Sequence, residues 1–117
     1  MAEEGHHLHL IVELMNEQRQ DQEIAEGIKA KLGENPDVTQ VIVKGKLLQI
    51  HVTESLYNRM SLDRERGRKI VLSLMQSMKA LTSSSDVTVW VYCNNEKMIE
   101  GKVKQWGGDN VMYVYDL

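Results

Sequence analysis

The sequence predicts a two-layer α+β sandwich, and three observations carry that prediction. Short runs alternate apolar and polar residues with period 2, as half-buried strands do. Longer stretches place apolar residues three and four apart, as helices with one buried face do. Turn-forming residues separate these segments in the order β-α-β-β-α-β followed by a β-β hairpin, a ferredoxin-like arrangement with a C-terminal addition. All 117 residues are expected in one domain, with residues 1–6 as a flexible lead.

The first strand is read from residues 7–14, where Leu8, Leu10, Val12 and Leu14 alternate with His7, His9, Ile11 and Glu13. A helix there would have to continue through the polar run from Asn16 to Glu23, which offers no apolar stripe. If it does continue, the order becomes α-β-β-α-β-β-β, still two-layered. Strong helix formers then run from Gln18 to Leu32, with Ile24, Ala25, Ile28 and Leu32 on one face. Gly33 suits the residue after a helix, and Pro36 bars its resumption.

Val38–Lys44 and Leu47–Thr53 form a predicted hairpin around Gly45. Leu48, Ile50 and Val52 share one face of the second strand; Leu47, Gln49 and His51 share the other. Ser61 is the expected N-cap of a helix over Leu62–Leu81, with Ile70, Val71, Leu74, Met78 and Leu81 as its buried stripe. Gly67 within it costs about 1 kcal/mol relative to alanine. Val87, Val89, Val91 and Cys93 alternate with Thr88, Trp90 and Tyr92 in the next strand. Asn94-Asn95 turns it into a run near Lys97–Trp106, and residues 107–110 turn again into Val111–Tyr115.

Composition narrows the class without selecting a reaction. Hydrophobic residues are 42% and charged residues 26%, ordinary for a globular chain. No apolar run approaches a membrane span, and the acidic start is unlike a signal peptide. The single cysteine forms no internal bridge, so a cytoplasmic protein is expected. Net charge is −3, yet residues 1–37 are acidic and residues 38–79 basic. The eight glycines are scattered without a P-loop or dinucleotide pattern, so no cofactor is expected.

Aromatic placement is more informative. There is no phenylalanine, and Trp90, Tyr92, Trp106, Tyr113 and Tyr115 crowd the C-terminal end. Because Val87, Val89, Val91 and Cys93 face the core, Trp90 and Tyr92 must emerge on the open side of the sheet. Trp106, Tyr113 and Tyr115 either cover them or join them in a contact surface. The leading expectation is a non-enzymatic binding protein. It would self-associate or dock a protein partner through Trp90, Tyr92 and Trp106 as hydrophobic anchors.

Two alternatives compete with it. Arg59, Arg64, Arg66, Arg68 and Lys69 form a basic segment suited to nucleic acid or a phosphate ligand. His7, His9 and His51, with Glu13, are imidazoles and a carboxylate of the kind that hold zinc, although no closed metal signature is present. His51 and Glu54 are further candidates for acid–base work. Cys93 reads as an inert core thiol, and Met98 and Met112 as adaptable surface near the aromatics. The element order, with aromatics on the sheet, is similar to that of the RNA-recognition motif. Residues 44–51 share its Lys-Gly opening but not its aromatics, so the chain is not assigned to that family.

Overall fold

A computed structural model describes residues 2–115, with side chains described from His9 onward. The side chain of His7, and the lead expected over residues 1–6, fall in the stretch whose side chains lie outside the described residues. Among the described residues, three helices and five strands follow in the order α1 (Ala2–Leu32), β1 (Val38–Lys44), β2 (Leu47–Val52), α2 (Glu54–Leu62), α3 (Arg64–Thr82), β3 (Thr88–Cys93), β4 (Glu96–Val103) and β5 (Asp109–Tyr113).

The expected first strand is helix. Asn16 to Glu23 contains neither glycine nor proline, and its Glu, Gln and Arg residues hold a solvated helix without an apolar stripe. The two predicted segments therefore fuse into one 31-residue element. Among the described residues its core anchors, Ile24, Ala25 and Ile28, lie in the C-terminal half. It runs back along β1, so that Asp21 Oδ1 accepts from the Gly45 amide at the β1–β2 turn (3.0 Å). Residues before this point project past the sheet and stretch the molecule to 61 × 35 × 23 Å.

The sheet is mixed, and its spatial order β1-β2-β3-β4-β5 is the order of the chain. That differs from the ferredoxin-like strand order, in which a first strand would have stood beside the one holding His51. Here β2 and β3 are the parallel pair, joined by the α2–α3 crossover, and every other neighbour is antiparallel. Asn94 and Asn95 both take positive φ, 52° and 62°, as a tight two-residue hairpin turn requires.

The helix expected over Leu62–Leu81 is α3, which begins at Arg64, and a separate helix, α2, precedes it where none was expected. Thr53 caps α2, its hydroxyl accepting from Leu56 N (3.2 Å). Asp63, not Ser61, caps α3, its carboxylate accepting from Arg66 N (3.1 Å). Capping chemistry at a single aspartate thus ends one helix and begins the next.

All three helices pack on one sheet face. Met60, Val71, Leu74, Met75 and Met78 meet Leu48, Ile50, Val89, Val91, Cys93, Ile99 and Val111 in a single core. Two glycines permit that closeness. A Cβ on Gly101 of β4 would lie 2.7 Å from Val71 Cγ1, and one on Gly67 of α3 would overlap Tyr113 Oη. The Tyr113 hydroxyl donates toward the carbonyls of Met60 (3.1 Å) and Arg64 (3.2 Å), tying β5 to the α2–α3 elbow.

Candidate protein-docking surface

Strand pairing arranges the other sheet face in rows. The middle row crosses all five strands as Ile42, Gln49, Trp90, Glu100 and Met112. On one side of it run Gln40, His51, Tyr92 and Lys97; on the other run Lys44, Leu47, Thr88, Lys102 and Asn110. Among the described residues no helix covers these rows. The C-terminal hairpin does not fold over them either, because β4 and β5 extend the sheet sideways.

The rings on this face are held in place. His51 stacks on Tyr92, with centroids 5.0 Å apart and planes 12° off parallel. Trp90 meets Tyr92 edge-on at 6.4 Å and 70°. The indole N–H of Trp90 donates to Glu100 Oε1 (3.3 Å), while Lys97 Nζ sits 4.7 Å from the ring centroid and 3.6 Å from Glu100 Oε2. Contacts of this kind contribute roughly 0.5–1 kcal/mol each. Their larger consequence is order: side chains already fixed lose less entropy when something docks on them.

The predicted anchors divide. Trp90 and Tyr92 lie side by side on the open face, half-buried. Trp106 stands on the β4–β5 turn, 84% exposed, and has no ring contact with them. Tyr113 is core, and Tyr115 lies beyond β5, its hydroxyl on the Glu96 carboxylate. That hydrogen bond, with the carboxylate's charge, raises the Tyr115 pKa. Ile42 and Met112, which end the middle row, were not singled out as a pair in the sequence. Alternation placed each on a face, but only register sets them in line with Trp90.

The basic segment is partly engaged within the molecule. Arg59 Nη2 pairs with Asp37 Oδ2 at 2.5 Å, and Arg64 Nη2 donates to the Tyr115 carbonyl (3.0 Å) while lying 4.7 Å from the Tyr113 ring. Arg68 Nε lies 4.0 Å from Glu65 Oε2. Arg66 and Lys69 line one shallow hollow on α3 with Ile70 and Leu32.

The histidines separate. His9 pairs with Glu13 one turn along α1 (3.0 Å), whereas His51 belongs to the sheet. Among the described residues no three His, Cys, Asp or Glu side chains gather as a metal site. Glu54 is held at the start of α2, its Oε1 accepting from Asn94 Nδ2 (2.5 Å). Cys93 is buried, and burial, with the Glu54 charge adding to it, pushes its thiol pKa up. Among the described residues no helix is long and apolar enough to cross a membrane. No protein-family model, curated protein or solved structure matches the chain.

Proposed function

We propose that this is a binding protein whose open sheet face docks protein, by self-association or with a partner chain, and that Trp90 and Tyr92 anchor the contact. The observation that carries the reading is the pre-ordered cluster of His51, Tyr92 and Trp90, spanning two adjacent rows of a face its own helices leave uncovered. Interfaces concentrate their energy in rings of this kind. Trp106, exposed on its turn, is a flanking contact in this reading rather than part of the cluster.

The anion-binding alternative has less support, because Arg59, Arg64 and Arg68 already meet groups of their own chain. The test is sedimentation velocity on the full chain and on Trp90→Ala and Tyr92→Ala, with circular dichroism as the check on folding. Weakened association with an unchanged spectrum supports docking through this face. Unfolding would make the rings structural, and unchanged association would remove the face from consideration.

A further inference from the structure

We infer that the occupant of the open face is the N-terminal arm of α1 from a second copy of this chain, each copy of a pair laying its arm across the other's sheet; the inference rests on the docking reading above. The arm is the second surface that the fold leaves unsatisfied. Leu10, Ile11, Val12, Leu14 and Met15 are 41–59% exposed. At about 100° per residue, the arc from Leu10 round to Val12 covers roughly 200° of the helix. The narrow seam of a two-helix coiled coil is a strict a/d stripe. A band this broad suits a helix lying on a flat surface, with the His9–Glu13 pair turned outward.

Length and charge select the surface. Residues 2–17 of α1, at 1.5 Å per residue, reach about 24 Å. Five strands about 4.8 Å apart span roughly 19 Å, so the arm is long enough to cross the whole sheet. Besides the outward Glu13, the arm carries Glu3, Glu4 and Glu17 and no lysine or arginine. The open face carries Lys44, Lys97 and Lys102 against Glu100. An acidic apolar helix therefore meets a lysine-framed row with apolar groups at its two ends and its centre, Ile42, Trp90 and Met112.

Geometry sends the arm to another molecule. α1 packs on the helix-covered side and leaves past the β1–β2 turn as one unbroken helix, so it cannot bend back to its own open face. Two copies exchanging arms about a twofold axis satisfy both surfaces and close the assembly.

The decisive experiment compares four full-chain samples by sedimentation velocity and native mass spectrometry. These are the unaltered protein, Leu10→Glu/Leu14→Glu, Trp90→Ala/Tyr92→Ala, and an equimolar mixture of the two variants. Residues 10 and 14 lie outside the core, so the arm variant keeps its fold. The unaltered chain is expected to be a dimer, and each double variant to raise the dissociation constant at least about tenfold. In the mixture the intact arm of one variant meets the intact face of the other, so heterodimers should exceed both homodimers. A face variant that dissociates beside an arm variant that stays dimeric overturns the arm as occupant and leaves the docking face standing. An arm variant that dissociates beside an unaffected face variant means that arms pair with arms, and overturns it too. A monomeric unaltered chain, or a mixture without heterodimers, does the same.

Discussion

The two faces of the sheet are built from the same strands, yet different physical chemistry governs them. Toward the helices, Leu48, Ile50, Val89, Val91 and Ile99 are aliphatic and almost wholly buried, with glycine where α3 presses closest. Toward the open side stand half-buried rings with Lys97 and Glu100, held by stacking, a cation over a ring and a side-chain hydrogen bond, beside the exposed Gln40, Lys44 and Lys102. One face is organised by exclusion of water and close packing; the other is ordered while still wet. Stability should therefore reside on the first face and association on the second.

Substitutions on the two faces should separate those properties. Leu48→Ala empties a fully buried site at the centre of the core and should cost about 2–5 kcal/mol in urea unfolding. A loss below about 1 kcal/mol would mean that the covered face is not the tightly packed one. Gly101→Ala forces a methyl against Val71 and Met75 and should cost about 1–3 kcal/mol by the same measurement.

Tyr113→Phe removes the hydroxyl that ties β5 to the α2–α3 elbow and should cost about 1–2 kcal/mol. It should also alter the pH dependence. Burial raises the Tyr113 pKa above the usual 10.0, outweighing the opposing pull of the Arg64 guanidinium. The folded state therefore holds the phenolic proton at pH values where the unfolded chain has released it. The resulting stabilisation is complete below the unfolded pKa and is lost as pH rises through the folded one. Unfolding midpoints taken across the alkaline range should fall more steeply for the unaltered chain than for Tyr113→Phe. Parallel curves would place the alkaline sensitivity elsewhere.

The smallest stability change is expected on the open face. Trp90→Ala should move the unfolding free energy by only about 1 kcal/mol, the scale of its ring and cross-strand contacts. A loss comparable to that of Leu48→Ala would erase the distinction between the faces.

Much of this arrangement is legible in the sequence. Alternation along β2 and β3 assigned Leu48, Ile50, Val89 and Val91 to one face and His51, Trp90 and Tyr92 to the other, as observed. Three- and four-residue spacing found the anchored half of α1 and most of the α3 stripe, although Met75 is fully buried and Leu81 is exposed. The same period-2 logic failed at residues 7–14. Apolar residues that circle an exposed helix also contain an alternating subset, and nothing local tells a strand from a helix that has no partner. The α2 helix was not legible, and the expected cap at Ser61 fell two residues early: serine and aspartate both suit a cap, and only the structure shows α2 running through Ser61 to Leu62 so that Asp63 takes the role.

The sequence by itself determined which residues share a face, because side-chain direction follows from backbone geometry over a few neighbours. It also determined the hairpin turns, because few residues accept the left-handed backbone found at Gly45, Asn94 and Asn95. Tertiary structure alone decided the strand order and the row that sets Ile42, Trp90 and Met112 in line. It likewise decided the division of Tyr113 and Trp106 between core and solvent, and the projection of α1 beyond the sheet. Those outcomes depend on pairings between residues far apart in the chain, and a periodic pattern shows which side of a residue is apolar without showing what comes to lie against it.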